Sequence, residues 1–354
     1  MNILDKANQI VNQRTEEKSR CYGDFNESMI NAAKIASLMV NKEVDVHTMF
    51  ACMYGLKMSR NAHNIKTFDN THEDSMLDMC AYLGAHQNYV NTHKNIKPKI
   101  LNNNKYKMYQ ELYNAPEIEV RGLKTKELLN YKLVIQPYDR FFNFEGRKMN
   151  LKYIKEEFKW YCKGDKFDTS ITKHAKMWKS LINEDGSINS NYGQYIKPNF
   201  ARCLETLVND KYSRRAIIMI GNNDNFSSKT KDYCCTLSMS FQIRNNKLLM
   251  TIHMRSCDCI FGLTNDIPTF SFFHEMMYVC LRDTKYPDLE LGEYTHLADS
   301  FHVYERHYKM LKNIIENAYE YKVECPKIES AIEVDKIFDG KLEDCYAFSK
   351  WLSV

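Results

Sequence analysis

Apolar positions recur with helical spacing from Asn2 to about Asn91. Ala7, Ile10 and Val11 open the pattern. Met29, Ile30, Ala33, Ile35, Ala36, Met39 and Val40 form a second run, and Met49, Phe50, Met53, Tyr54, Leu56 and Met58 a third. Asp74 to Val90 reads as a fourth helix. The polar stretch His93 to Tyr106, rich in Asn, Lys and Pro, then reads as a linker. Beyond it the pattern is mixed. Lys152 to Cys162 carries an aromatic and aliphatic helical face, and Ala216 to Ile220 is an apolar run of strand length. Thr236 to Ile243 alternates, Asn245-Asn246 supplies a turn, and Leu248 to Met254 follows, which predicts a hairpin. Pro268 to Leu281 reads as a buried helix and Tyr304 to Tyr319 as another. There is no internal repeat and no regular alternation of strand and helix. The expected class is α+β: a small all-α domain over 1–92, a linker over 93–106, and a mixed sheet with surrounding helices over 107–354.

Composition narrows the function classes. With 354 residues, 44% hydrophobic and 27% charged, the chain is long and apolar enough for a large folded core. A formal charge of +4 is too small to imply a nucleic-acid surface and suits a small anionic ligand equally well. The start lacks a signal-peptide apolar core, and no later stretch is long and uncharged enough to span a bilayer. The twelve cysteines are scattered, without paired CxxC sets, which fits the reduced thiols of a cytoplasm and no structural zinc.

The chemistry gathers in separated motifs. The run Arg255-Ser256-Cys257-Asp258-Cys259-Ile260-Phe261-Gly262-Leu263-Thr264-Asn265-Asp266 is preceded by Cys235, twenty residues before Arg255. Earlier come Arg121-Gly122 with Lys124-Thr125, then Glu157 to Asp165, Trp178, Asn191-Tyr192-Gly193 and Ser213-Arg214-Arg215. Phe301-His302-Val303-Tyr304 follows. In this order the motifs resemble those of the thymidylate synthase family, from about Lys107 to the C-terminus. The chain departs from the family pattern at Cys234 (usually Pro), Thr236 (usually His) and Met254 (usually Gln). Its tail, Phe348 to Val354, also lacks a clear match.

The resemblance implies a role for each motif. Cys235 is the nucleophile that adds to carbon 6 of a pyrimidine and makes carbon 5 reactive, its thiol expected to be acidified by Arg255. Glu157 relays protons and Tyr192 assists proton removal from carbon 5. Arg121, Arg255 and Ser256 from one subunit, with Arg214 and Arg215 from the other, hold the phosphate, which implies a homodimer with shared active sites. His302 and Tyr304 hold the sugar; Trp178 and Asp258 hold the folate, 5,10-methylenetetrahydrofolate. No metal is expected.

Base choice rests on Asp266, where family members acting on uracil carry Asn. Uracil offers an N–H donor and a carbonyl acceptor, whereas cytosine offers a ring-nitrogen acceptor and an amino donor. A carboxylate accepts from the cytosine amino group and favours a proton on the cytosine ring nitrogen, whereas it faces the uracil carbonyl acceptor to acceptor. If the loop were shifted by one residue, Asn265 would read the base and uracil would return. The implied reaction is C5 hydroxymethylation of dCMP. Methylation of dCMP, or a thymidylate synthase or dUMP hydroxymethylase reaction, remain alternatives. The first domain, through Arg20 to Phe25, Leu56 to Arg60 and His72 to Asp78, resembles a small helical phage domain. It is also loosely similar to all-α nucleotide pyrophosphohydrolases, without their paired glutamates. That setting implies a phage enzyme in a bacterial host cytoplasm, with room for contacts to other nucleotide-synthesis enzymes. Asp74 and Asp78 share a helical face, which suits a shared cation or, preferred here, a solvated helix N-terminus.

Overall fold

The computed structural model describes residues 2–12, 25–40, 44–93, 104–227 and 230–354. The chain divides into two compact units, Met1–Asn102 and Asn103–Val354.

The described residues of the first unit are helical: α1 (Ile3–Asn12), α2 (Phe25–Val40), α3 (Val46–Phe68) and α4 (Glu73–His93). Asp45 caps α3 by accepting from the Thr48 N–H at 2.6 Å. Phe50, fully buried, stacks on His86 at 4.6 Å and helps fasten α3 to α4. Asp78 accepts from Lys57 Nζ at 2.6 Å while Asp74 is exposed, so an ammonium group stands against one of the two acids. The motif residues 20–24 lie outside the described residues, as do 94–103 of the expected linker. Asn104, Lys105 and Tyr106, also expected as linker, instead begin a helix, α5 (Asn104–Tyr113). The reason is its buried face of Tyr106, Met108, Tyr109 and Leu112, with Lys105 buried against Glu320 at 2.8 Å.

The second unit is the expected α+β architecture. Strands β1 (Glu117–Val120) and β2 (Leu123–Ile135) form a hairpin turned by Arg121, whose φ is +52°, and Gly122. Helices α6 (Leu151–Lys163) and α7 (Gly193–Asn209) follow. Then come β3 (Ile217–Met219), β4 (Thr236–Arg244), β5 (Lys247–Met254) and the short β6 (Cys257–Asp258). Helix α8 (Gly262–Thr284) leads to β7 (Glu290–Tyr304). Helices α9 (Tyr308–Asn317), α10 (Ala331–Phe338) and α11 (Ala347–Ser353) close the chain. The sheet order is β1-β2-β7-β5-β4-β3, with β6 also on β7. Pairing is antiparallel except where β7 runs parallel to β5 and β6. The expected helix from Tyr304 to Tyr319 starts late, because Tyr304 ends β7.

Helix α8 is buried on nearly every side, as a helix apolar all round must be. Helix α6 stops at Gly164 (φ +68°) and abuts the start of α7. A Cβ on Gly193 would lie 1.7 Å from the Tyr161 carbonyl, so only glycine permits this approach. Helix α11 is anchored to the core. Phe348 and Leu352 are fully buried, Phe348 meets the rings of Phe158 and Phe272, and Ser349 Oγ donates to Glu333 at 2.8 Å.

Candidate functional site

The β4–β5 hairpin explains the spacing of Cys235 and Arg255. Asn245 and Asn246 both take positive φ, the conformation of a tight two-residue turn. From there the register runs back to Thr236 opposite Met254. The next residues out are Cys235 and Arg255, and the Arg255 N–H donates to the Cys235 carbonyl at 2.9 Å. Arg255 Nη2 lies 3.8 Å from Cys235 Sγ, and its guanidinium also donates to the carbonyls of Cys234 and Tyr233, both at 2.9 Å. Burial pushes the half-buried Cys235 thiol up; Arg255 opposes this, while Asp266 and Asp232 add to it. The expected acidification is therefore absent, because burial outweighs the guanidinium.

Glu157 comes from α6 with Tyr153 one turn before it on the same face. The Tyr153 hydroxyl donates to Glu157 Oε1 at 2.7 Å and accepts from Trp178 Nε1 at 2.9 Å. Thr269 of α8 lies 3.4 Å from Glu157 Oε2. Trp178, Tyr153, Glu157 and Thr269 thus form one buried polar line. Tyr153 and Thr269 were not singled out in the sequence; the spacing of Tyr153 to Glu157 is the signal that could have found the first. Burial raises the Glu157 carboxyl from 4.5 to about 7. The folded protein therefore holds a proton that the unfolded chain has released, and stability falls as pH rises through this window. Glu157→Gln should be more stable than wild type above about pH 7, by up to ~3 kcal/mol, with no advantage below about pH 4.5. Thermal melts across that range test this; a wild-type advantage at alkaline pH would contradict it.

Asp266 lies in the second turn of α8. A Cβ on Gly262 would sit 3.6 Å from Asp266 Oδ2, so the carboxyl folds back over the helix start. Burial, then the Glu157 and Asp258 carboxylates, push it well up. Its charge in turn acts on Cys235, Tyr153 and Tyr192. Tyr192, at the start of α7, is buried, and its hydroxyl accepts from the Thr236 N–H at 3.3 Å, next to Cys235. Beside Asp266 the buried Asn265 Oδ1, and beside Cys235 the buried Thr236 Oγ1, have no partner among the described residues.

Strand β6 lays Asp258 against His302. Asp258 accepts from the N–H groups of Ile260 (3.1 Å) and Phe261 (3.4 Å), which turns the chain into α8. Arg147, also unanticipated, steadies this turn by donating to the Ile260 carbonyl at 3.1 Å. His302 is buried, with its ring 5.0 Å from that of Tyr304. The charges of Asp258, Cys235 and Arg121 all reach the Tyr304 hydroxyl. Ser256 is half-buried between β5 and β6. Cys235, Arg255, Asp266, Glu157, Tyr192, Trp178, Asp258, His302, Tyr304 and Arg121 thus gather around one end of the sheet. Arg214 and Arg215 do not join them. They are exposed and line an open hollow of about 950 Å³ with Arg202, Asp210 and Tyr212. Among the described residues no helix is long and apolar enough to cross a membrane, and no group of three or more His, Cys, Asp or Glu could hold a metal ion.

Comparison with known proteins accords with this geometry. Residues 2–90 match a domain of unknown function, DUF6378. Deoxycytidylate 5-hydroxymethyltransferases of Enterobacteria phages T4, T2 and T6 are each 30% identical to this chain over 217 residues, 55% of this chain and 81% of each relative. Residues 92–348 match thymidylate synthase, most of the chain's length. The chain belongs to the thymidylate synthase family and has an accessory domain at its N-terminus.

Proposed function

We propose that this protein transfers one carbon from 5,10-methylenetetrahydrofolate to carbon 5 of dCMP and releases 5-hydroxymethyl-dCMP and tetrahydrofolate. The observation that carries the reading is Asp266, whose carboxyl stands within electrostatic range of Cys235 and Glu157. Cys235 adds to carbon 6 and turns the ring into an enamine whose carbon 5 is nucleophilic. The folate, when bound, supplies the one-carbon unit at the oxidation level of formaldehyde. Glu157, with a carboxyl near neutrality, can give and take a proton at the working pH. The unpartnered Asn265 Oδ1 and Thr236 Oγ1 suit ligands rich in N–H and hydroxyl groups, as a nucleotide and a pterin both are. Trp178 and Asp258 are the residues we assign to the folate, and His302 and Tyr304 those we assign to the sugar. Loss of the carbon 5 proton and of tetrahydrofolate leaves an exocyclic methylene on the ring. Water, rather than hydride, adds to it as the bond from Cys235 to carbon 6 breaks, which frees the thiol and completes the product.

Incubation with dCMP, folate donor and oxygen-18 water is the direct test. We expect a product heavier than dCMP by one CH₂O unit, labelled with oxygen-18, and no dihydrofolate absorbance. A methylated product with stoichiometric dihydrofolate would assign the protein as a dCMP methyltransferase instead.

We also propose that Arg214 and Arg215 complete the phosphate site of a second copy, together with that copy's Arg121, Arg255 and Ser256. Their exposure, and their place in a hollow lined by none of the Cys235 cluster, support this. Mixing inactive Cys235→Ala with inactive Arg215→Ala should then restore part of the activity through hybrid dimers. A fully active monomer in sedimentation would exclude it.

A further inference from the structure

Two loops deliver the groups that flank the nucleotide site. One, residues 183–192, ends in Tyr192; the other, 230–235, ends in Cys235. A set of polar contacts stitches them together. Asn189 Nδ2 donates to Thr230 Oγ1 at 2.8 Å and to the Asp232 carbonyl at 2.9 Å. Asn183 Oδ1 accepts from Thr230 Oγ1 and from the Lys231 N–H, both at 2.9 Å. The centre of the stitch is a carboxylate. Asp232 Oδ2 accepts from the Ser190 N–H at 2.7 Å and Oδ1 accepts from Ser190 Oγ at 2.6 Å. Asp232 is only 2% exposed and Ser190 6%. A carboxyl this buried is costly unless its oxygens are satisfied, and here a single serine satisfies both. Tyr192 follows Ser190 by two residues, and Cys235 follows Asp232 by three.

Asp232 also shares a counter-charge with the nucleophile. Arg255, which reaches to 3.8 Å from Cys235 Sγ, interacts with the Asp232 charge as well. The groups facing Cys235 are Arg255 from the end of β5, Asp266 from α8, Asp232 and Cys234 from its own loop, Tyr192 from α7, Tyr304 from β7 and Cys257 from β6. Those facing Asp232 are Arg255, Cys234, Cys235 and Tyr195. Only Asp232 belongs to both the stitch and the charge balance of the thiol.

We infer that Asp232 is a positioning residue for Cys235: through Ser190 it clamps the Tyr192 loop to the nucleophile loop, and its negative charge stands against the thiolate that Arg255 favours. This rests on Cys235 being the nucleophile. The clamp fixes the thiol relative to Tyr192, and the Asp232 charge adds to the burial that keeps the thiol protonated in the free protein.

The test uses the full chain as wild type, Asp232→Asn and Ser190→Ala. Each is treated with iodoacetamide from about pH 6 to about pH 10, and Cys235 modification is followed by mass spectrometry. Asp232→Asn removes a negative charge near the thiol and should speed alkylation near neutral pH by roughly threefold or more, moving the profile to lower pH. Ser190→Ala keeps the carboxylate and should leave that profile in place. Both variants should lower kcat with dCMP by about tenfold or more, with KM little changed, because a misaligned reacting group loses rate rather than binding. An unchanged alkylation profile in Asp232→Asn overturns the inference, as does an unchanged kcat in both variants. If Asp232→Asn does not fold, Ser190→Ala decides alone: a kcat loss without a profile shift supports the clamp, and normal kcat refutes it. Alkylation needs no nucleotide, so a wrong substrate assignment would leave the thiol readout intact and appear only in turnover.

Discussion

Cys235→Ala is expected to lower turnover of the nucleotide by about 10⁴-fold or more, the scale on which loss of a covalent nucleophile is felt. The neighbouring thiol cannot take over. Cys234 is fully buried, and burial pushes its thiol up to about 12, so it holds its proton across the working range. Cys235 is half-buried, and Arg255 lies 3.8 Å from its sulfur. Its own elevated thiol means that free protein should alkylate slowly near neutrality, since the thiolate is the reactive form. With 5-fluoro-dCMP and methylenetetrahydrofolate the wild type should trap a covalent adduct, because fluorine blocks loss of the proton at carbon 5. Peptide mass mapping should find it on Cys235. An adduct on Cys234, or an active Cys235→Ala protein, would remove Cys235 from the mechanism.

Asp266→Asn is expected to move the dCMP to dUMP ratio of kcat/KM toward dUMP by about tenfold to a hundredfold, matching ~1–3 kcal/mol for one charged hydrogen-bond pattern. The raised carboxyl of Asp266 adds a second, sharper expectation. A protonated acid can donate to the cytosine ring nitrogen and accept from its amino group. It can equally donate to the uracil carbonyl and accept from the uracil ring N–H. Only the ionised form turns uracil away. Discrimination against dUMP in wild type should therefore weaken as pH falls, whereas in Asp266→Asn it should vary little with pH. Ratios measured across pH for both proteins check this, and a wild type that prefers dUMP throughout would defeat the base assignment.

Much of this site was legible because chemistry and spacing coincide. The twenty-residue interval between Cys235 and Arg255 is the length of a two-residue hairpin whose open end joins them. The strand alternation and Asn245-Asn246 were visible for the same reason. Strands β2 and β7 were not. Lys124-Thr125 reads only as part of a motif, yet β2 runs through it, because its pairing with β7 is set by distant residues rather than by local pattern. The helix α5 was hidden by a polar run whose few apolar residues share one face. Tyr153, Thr269 and Asp232 escaped because a buried polar network has no linear signature; its members meet only across α6, α8 and two loops. The thiol of Cys235 was misjudged for a related reason. Sequence reveals the guanidinium nearby but not the burial that opposes it.

The place of β7 in the sheet also bears on how the chain comes to be folded. It is the last strand made, yet it lies between β2 and β5 and joins the two halves of the sheet. Until residues 290–304 have left the ribosome, the β1–β2 hairpin and the β3–β4–β5 meander each keep an unpaired edge on the side that β7 will fill. The parallel β5–β7 pairing must also await the whole of α8 between them. Cys235 and Arg255 can meet early, within their hairpin, but His302 and Tyr304 reach the site only when this final strand slots in. Assembly of the nucleotide site is thus tied to completion of the sheet, late in synthesis and dependent on contacts of long sequence range.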